Sequence, residues 1–192
     1  MSEIREFIIE SKKHGKHTIL IDEEDWEKVS QHKWCIDATA RRNSRGGFYA
    51  KTSILHPDGG WYDNPTSGRG RRRTSMFLHR FLMNPPPGYM VDHINHNGLD
   101  NRRENLRICT RVENGRNRLP SKKNASGYKG VRRNGSDNCW QAKINIDKKQ
   151  TYIGSFATAE EAALAYDKVA IKEHGEFACL NFPEKYNRKE SK

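Results

Sequence analysis

A short polar segment at residues 119–125 does most to limit what this chain can fold into. Its sequence, LPSKKNA, joins a proline to two lysines and separates two stretches that each carry strand and helix patterns. Only 34% of the 192 residues are hydrophobic, which leaves little apolar surface for one large core. We therefore predict an α+β protein of two small domains, 1–118 and 126–183, with a linker at 119–125 and a basic tail at 184–192.

The net charge of the chain points to a polyanionic partner. The formal charge is +11, and one dense run of arginines stands out at the end of a Gly- and Pro-rich stretch, 56–73. A field of this sign attracts polyanions, so we expect a nucleic acid as the partner. The Gly, Pro and Asn content of 56–73 predicts an exposed loop. The candidate phosphate contacts in this loop are Arg71, Arg72 and Arg73. The alternative is a generically basic, solvated surface.

Three other classes of protein are disfavoured. No stretch approaches the ~18 apolar residues of a membrane-spanning helix, and the N-terminus is too polar for a secretory signal, so we expect a cytoplasmic protein without a membrane partner. No zinc site is expected, because the cysteines contain no C-x-x-C pair. We expect all four to be reduced and buried. They are Cys35, Cys109, Cys139 and Cys179.

The first domain begins with elements that we interpret as scaffold. The pattern predicts a strand that leads into a short helix capped by Asp22. Two further strands, 33–41 and 47–54, are predicted to form a hairpin around a loop at 41–47. No residue type in this part suggests chemistry.

A second group of predicted elements follows the arginine run. A helix capped by Thr74 or Ser75 must end at the NPPPG segment, because three prolines cannot continue it. A strand at 89–95, a turn at Asn97-Gly98 and a second strand are then predicted, with a helix at the end of 103–118.

Residues 91–117 combine an Asp-His pair with six asparagines. Hydrolysis of a phosphodiester needs a base for the attacking water and a cation for the phosphate and the leaving oxygen. His93 is a candidate base, and Asp92, on the other side of the strand, is a candidate ligand of a hard cation. Neutral amides suit such a site because they orient groups without adding negative charge that would repel DNA.

Several polar residues near this pair have simpler interpretations. We interpret Asn95, Asn97 and Asn101 as turn residues and His96 as a loop residue. His79 is interpreted as a packing or supporting residue, with a phosphate contact as the alternative. Three arginines, which either form a solvated face or clamp phosphates, remain open between the two interpretations: Arg111, Arg116 and Arg118.

The spacing D-H-x11-N-x8-N, which begins at Asp92, resembles the HNH nucleases of the ββα-metal fold, most closely the homing type encoded by phages and introns. The LHRFLM segment at 78–83 is similar to the lead-in of that family, and the resemblance covers about 76–118. It implies a metal-dependent endonuclease of a bacteriophage or another mobile element, acting in a bacterial or phage-infected cell.

The resemblance also assigns roles to four residues. It implies that Asp92 and Asn114 bind the metal, that His93 is the general base and that Asn105 orients His93. Many members have a histidine at the last motif position, where this chain has Asn114. An amide oxygen there favours Mg²⁺ or Mn²⁺ over a transition metal bound through nitrogen.

The second domain reads as three strands and one helix. Strands are predicted at 128–134, 139–147 and 150–156. The helix begins with a Thr158–Glu161 capping box and ends at Gly175. Its buried stripe is predicted to comprise Ala162, Ala165, Tyr166, Val169 and Ala170.

This unit closely resembles, over 126–183, the DNA-binding domain of plant ethylene-response factors, the APETALA-two type, through its GVR, IGSF, TAEEAALAYD and LNFP segments. The resemblance implies double-stranded DNA as the partner, with the sheet in its major groove. Several family arginines are replaced here, so the GC-rich target of the family is not carried over. Trp140 is interpreted as a core aromatic, with base stacking as the alternative. The candidate DNA contacts are Lys129, Arg132, Arg133, Lys143, Asn145, Gln150 and Tyr152.

These observations predict a site-directed DNA endonuclease that acts as a monomer, since no dimerisation heptad is evident. One HNH centre favours a nick over a double-strand break. The alternative is a DNA-binding regulator with an inactive HNH-like domain. An RNA-binding protein is disfavoured because neither domain shows exposed aromatics at single-strand spacing.

Overall fold

The structure is a computed structural model that describes residues 3–38, 47–56, 59, 61–64, 68–135 and 138–186. Most of the predicted loop at 41–47 and the tail from 187 lie outside the described residues. In the part that is described, no helix is long and apolar enough to cross a bilayer.

The chain forms two compact units, which divide between Thr110 and Arg111. The helix that follows Thr110 thus groups with the second unit, although the polar segment at 119–125 comes later in the chain. Both units mix helices with antiparallel sheets, so the predicted α+β class is confirmed.

The first unit is built from short antiparallel sheets. The sheets pair β1 with β2, β5 with β6 and β8 with β9, while β4 lies between β3 and β7. In chain order the elements are β1 (Ile4–Ser11), β2 (Gly15–Asp22), α1 (Trp26–Ser30), β3 (Cys35–Ala38), β4 (Phe48–Leu55), β5 (Trp61–Asn64), β6 (Gly68–Arg71), β7 (Arg73–Phe77), α2 (Leu78–Met83), β8 (Met90–His93) and β9 (Leu106–Cys109).

The core of the first unit supports the asparagine-rich loop between β8 and β9. Ile19 and Ile21 alternate into this core from β2 and are fully buried. The backbone of Leu20, between them, accepts a hydrogen bond from Asn101 N (2.8 Å) and donates one to Leu99 O (3.0 Å). The N-terminal scaffold therefore fixes the position of this loop relative to β2.

Two buried carboxylates tie the scaffold to the short 3-10 turn Arg103–Asn105. The Arg103 guanidinium binds both carboxylate oxygens of Asp25 (2.7 and 3.0 Å), which is 1% exposed. The backbone N of Arg103 donates to Asp22 Oδ2 (2.7 Å). Asp22 makes no side-chain capping bond, so its prediction as a helix cap was wrong: its carboxylate holds a distant segment instead.

Three further predictions for the first unit are corrected. The stretch 56–73 is not simply an exposed loop, because β5 and β6 pair there as an antiparallel hairpin. Thr74 and Ser75 do not cap α2; they lie in β7, whose pairing with β4 outweighs the local capping preference. Cys35 is exposed rather than buried, whereas Cys109 is buried as predicted.

The second unit packs a three-stranded sheet on one helix, as predicted. Its elements are α3 (Arg111–Arg116), β10 (Val131–Asn134), β11 (Cys139–Ile146), β12 (Lys149–Phe156) and α4 (Ala159–His174), with the strand order β10-β11-β12. The capping box of Thr158 and Glu161 is formed, and Gly175 ends α4 with a φ of 55°.

The helix–sheet interface of this unit is made of small and branched residues. Ala142 and Ile144 point toward α4 and meet the predicted stripe at Ala162, Tyr166 and Ala170. Ala165 and Val169 are only partly buried. Trp140 packs against this core, which confirms its interpretation as a core aromatic. Of the cysteines here, Cys179 is buried but Cys139 is only partly buried.

Candidate active site

His93 ends β8 opposite Leu106 of β9, and its side chain is 6% exposed. Two aromatic side chains from other elements wall its ring. The ring centroids of Tyr49 and His79 lie 5.7 Å and 4.9 Å from that of His93, both edge to face. The imidazole therefore sits in a pocket that restricts both its rotation and its hydration.

A buried amide orients the ring. Asn101 Oδ1 lies 3.4 Å from His93 Nε2, and Asn101 is fully buried. Asn101 Nδ2 donates to Gly98 O (3.4 Å), which turns the amide oxygen toward the ring. An oxygen acceptor requires a proton on Nε2, so the neutral imidazole carries its lone pair on Nδ1.

Asn105 acts on the loop rather than on the ring. Its Oδ1 accepts a hydrogen bond from Asn95 N (3.0 Å), and its Nδ2 donates to Asp100 O (2.7 Å). These bonds hold both ends of the segment that precedes Asn101. The contact with His93 that was expected of Asn105 is made by Asn101.

The other asparagines of this loop divide into two groups. Asn95 Oδ1 accepts from Asn97 N (2.9 Å), and Asn97 Oδ1 accepts from Leu99 N (3.1 Å). Such bonds to the backbone two residues ahead are typical of turn residues, so that interpretation is confirmed for both. The interpretation of Asn101 as a turn residue was incomplete, because Asn101 is also buried beside His93, which the sequence alone does not show.

Burial disfavours the charged form of both site histidines. It lowers the pKa of His93 below its ordinary value, although Asn101, Asp92 and Asp100 act in the opposite direction. Burial also lowers the pKa of His79 to about 3, with His93 and Arg80 adding to the effect. His79 stacks on Phe77 with ring centroids 5.5 Å apart, which confirms that it is a packing residue.

Asp92 lies beside His93 in β8 and is 7% exposed. Arg107 is its cross-strand partner in β9. The Arg107 guanidinium donates to Asp92 Oδ2 through Nη2 (2.8 Å) and Nε (3.0 Å). The hairpin thus already places a positive charge at this carboxylate.

The resemblance assigns the metal to Asp92 and Asn114, which belong to different units. Asp92 offers carboxylate oxygen and Asn114 an amide oxygen, both suited to Mg²⁺ or Mn²⁺. Among the described residues, no group of three or more His, Cys, Asp and Glu side chains is placed to hold a metal. The first unit brings together Asp92, His93 and Asn105, whereas Asn114 lies on α3 in the second unit.

Most candidate DNA contacts of the second unit share the sheet face opposite α4. Cross-strand pairs place Lys143 beside Tyr152 and Asn145 beside Gln150 on this face, and Arg132 lies beside Gln141. Tyr152 is 55% exposed, which leaves the face open.

Two candidate contacts of this unit are placed differently. Arg133 pairs with Trp140, and its guanidinium lies 6.0 Å from the centre of that ring, on the side of the sheet opposite to Arg132. Lys129 precedes β10 and is half-buried, and its ammonium group donates to Arg116 O.

Three arginines of the run that ends the stretch 56–73 are exposed. Arg71, Arg72 and Arg73 all have exposed side chains at the β6–β7 connection. Arg73 Nε donates to Ser53 Oγ (3.0 Å) in the neighbouring strand, so this side chain is already held against the sheet.

Comparison with known proteins agrees with both resemblances. Residues 84–116 match the HNH endonuclease family, and residues 126–176 match the AP2 domain. An uncharacterized HNH endonuclease of Acanthamoeba polyphaga mimivirus is 37% identical over 170 residues, which cover 87% of this chain and 76% of that protein.

The second unit has plant relatives. An AP2-like ethylene-responsive transcription factor of Arabidopsis thaliana is 50% identical over 60 residues, or 30% of this chain and 12% of that protein. Dehydration-responsive element-binding protein 2E of Oryza sativa subsp. japonica is 49% identical over 61 residues, or 31% of this chain and 19% of that protein. Taken together with the mimivirus relative and the motif geometry, these matches show that the chain belongs to the HNH endonuclease family and carries an AP2 DNA-binding domain after its HNH segment.

Proposed function

We propose that this protein is a metal-dependent DNA endonuclease of the homing type, in which His93 is the general base. The AP2 unit supplies affinity and sequence preference, and the protein acts as a monomer that nicks one strand per binding event. The observation that carries this proposal is the buried imidazole of His93, whose Nε2 lies 3.4 Å from Asn101 Oδ1. The homing type rests on the spacing of Asp92, His93, Asn105 and Asn114.

The residues of the site divide the work of hydrolysis. His93 takes a proton from the attacking water at Nδ1, while Asn101 accepts the hydrogen bond of Nε2–H and so stabilises the imidazolium that forms. Tyr49 and His79 keep the ring in place and limit its contact with bulk water. Asp92 and Asn114, the metal ligands that the resemblance implies, would hold a divalent cation, which would supply positive charge to neutralise the phosphate and the leaving 3′ oxygen.

The direct test is cleavage of supercoiled plasmid DNA by the purified full chain. We expect conversion to the open circle in Mg²⁺ or Mn²⁺, and no conversion when a chelator is added. The linear form should appear late, because one catalytic centre must rebind to cut the second strand. An absence of nicking in both metals, with DNA binding intact, would contradict the proposal.

That outcome would favour a second function, a DNA-binding regulator with an inactive HNH segment. The observation behind it is that the plant relatives of the AP2 unit are named as transcription factors or as an element-binding protein. The complete set of Asp92, His93, Asn105 and Asn114 favours the nuclease, because a regulator would not need these side chains together.

Asn101 provides a separate test of how His93 is held. Asn101→Leu keeps the branched shape and the number of heavy atoms but removes the acceptor, and a hydrogen bond to a charged group contributes about 1.5–3 kcal/mol. We expect nicking about 10- to 100-fold slower, from the same free energy. Nitrogen NMR of the His93 ring should also show a loss of the Nε2–H tautomer preference.

Asn97→Ala is the matched control, because it removes an exposed amide from the same loop. It should leave both the nicking rate and the ring tautomer close to those of the wild type. A native nicking rate in Asn101→Leu, with the tautomer unchanged, would show that this amide does not position the base.

A further inference from the structure

A basic groove lies in the second unit where β11 extends past β10. The β10–β11 ladder covers Cys139–Ala142, and the groove begins at the next residues of β11. One wall is α3, and the other is formed by β11 with the turn that follows it. The groove encloses about 610 Å³, the size of a site for a small ligand or a short stretch of an extended polymer.

The groove has a strong excess of positive charge. Asp147 supplies the one carboxylate among the described side chains that line it. Six cationic side chains line it as well: Arg111, Arg116, Lys129, Arg132, Lys143 and Lys148. Such a balance favours an anion with several charges.

The pKa values of two groups that line the groove are lowered by nearby positive charges as well as by burial. Burial lowers the pKa of Lys129, and the nearby Arg118 lowers it further despite an opposing effect of Cys179. Burial lowers the pKa of His174. The hydrogen bond to the Asn145 backbone and the charge of Glu173 raise this pKa, whereas the charges of Arg116 and Lys129 lower it further. An anion in the groove would relieve this repulsion.

His174 also offers an unused polar atom at this place. It is 7% exposed and lines the groove. Its Nε2 lies 3.0 Å from Asn145 O, while its Nδ1 has no hydrogen-bond partner among the described residues. Because Nε2–H donates to Asn145 O, Nδ1 is an acceptor in the neutral ring, and it can donate to an anion only in the imidazolium form, which a bound anion favours.

A hydrogen bond joins α3 to the segment that leads into the sheet. The Lys129 ammonium donates to Arg116 O at the end of α3. The backbone of Lys129 is in turn held by the Asn181 side chain. Lys129 N donates to Asn181 Oδ1 (2.6 Å), and Asn181 Nδ2 donates to Lys129 O (3.1 Å). Arg111 and Arg116 are therefore held in the same groove as Lys143 and Arg132 of the sheet.

We propose that this groove binds the phosphate backbone of duplex DNA, with Arg111 and Arg116 as contacts outside the AP2 match. The last helix of the HNH match is then part of the surface that the AP2 unit presents to DNA. DNA fits better than an acidic protein segment because the groove continues onto the open sheet face through Lys143, Asn145 and Gln150. The proposal rests on DNA targeting by the AP2 unit and not on cleavage.

The test compares two double variants of the full chain that lose the same charge. Arg111→Ala with Arg116→Ala removes the α3 contacts, and Lys168→Ala with Lys172→Ala removes two exposed lysines of α4 that do not line the groove. Affinity for duplex DNA is measured by fluorescence anisotropy with a chelator present, at about 50 and 200 mM salt.

We expect the arginine variant to bind about 5- to 30-fold more weakly, as for two lost ion pairs that are exposed to solvent. Its salt slope should fall by up to about two, since each phosphate contact contributes about 0.9. Specific and scrambled duplexes should be affected equally, because phosphate contacts carry no sequence information. The lysine variant should keep the wild-type slope.

Arg111→Lys with Arg116→Lys keeps the charge and should restore most of the binding, which separates a lost contact from a misfolded α3. An arginine variant with unchanged affinity and salt slope would overturn the groove proposal while leaving DNA targeting intact. A wild-type chain that does not bind duplex DNA would overturn both. Equal weakening of the arginine and lysine variants would show that only net charge matters and would also overturn it.

Discussion

Replacing His93 with alanine should slow nicking by about 10² to 10⁴-fold, the usual contribution of a general base. His93 is the buried imidazole whose Nε2 faces Asn101, so its Nδ1 is the nitrogen able to take the proton of water. Affinity for DNA should be nearly unchanged, because the side chain is 6% exposed and the sheet face and basic groove of the AP2 unit are not altered. Single-turnover nicking of a supercoiled plasmid, with binding measured in chelator, separates the two quantities.

His96 provides the matched control for that measurement. It is an exposed histidine three residues further along, in a left-handed conformation with a φ of 64°. His96→Asn keeps a residue that tolerates this conformation, and it should retain the wild-type rate. A fully active His93→Ala, or an equal loss in both variants, would end the assignment of His93 as the base.

Replacing Asp92 with asparagine should slow nicking at a fixed Mg²⁺ concentration by about 10²-fold or more, because charge stabilisation by a bound metal contributes several kcal/mol. Asparagine is chosen over alanine because Asp92 is the ion-pair partner of Arg107, whose side chain is 11% exposed. An amide oxygen still accepts from this guanidinium, so the hairpin should stay folded. The lost charge also removes the carboxylate that pairs with the Arg107 guanidinium and one of the groups that raise the pKa of His93, so the nicking rate by itself does not isolate the metal site.

The metal dependence itself is the sharper readout. Asp92→Asn should raise the Mg²⁺ concentration needed for half-maximal nicking, and Mn²⁺ should partly rescue it, because Mn²⁺ is less strict about geometry. Mn²⁺ binding followed by electron paramagnetic resonance should weaken in the same variant without DNA or turnover. Asp37→Asn, at the pair with Lys51, is the control with the same change. Metal binding and metal dependence that match the wild type would place the cation elsewhere.

Local patterns predicted those elements whose stability is decided by nearby residues. The helix α4 follows from its 3.6-residue stripe, its capping box at Thr158 and the stop at Gly175, all of which act within a turn or two. The exposed sheet face follows from the alternation of side chains along β11, although the β11–β12 register shifts by one residue between Ala142 and Lys143. The strand that carries Asp92 and His93, and the helix that carries Asn114, follow from the local residue pattern.

Tertiary structure decided the orientation of the His93 ring and the unit to which α3 belongs. Asn101 reads as a turn residue in sequence, and it becomes the contact of His93 only because its backbone is fixed to Leu20. Asp22 reads as a cap, yet its carboxylate binds the backbone of Arg103. Such hydrogen bonds join segments far apart in the chain, so no local periodicity encodes them. The sequence by itself therefore determined the elements and the reactive residue types, whereas long-range hydrogen bonds and burial decided which amide faces the histidine and which unit holds α3.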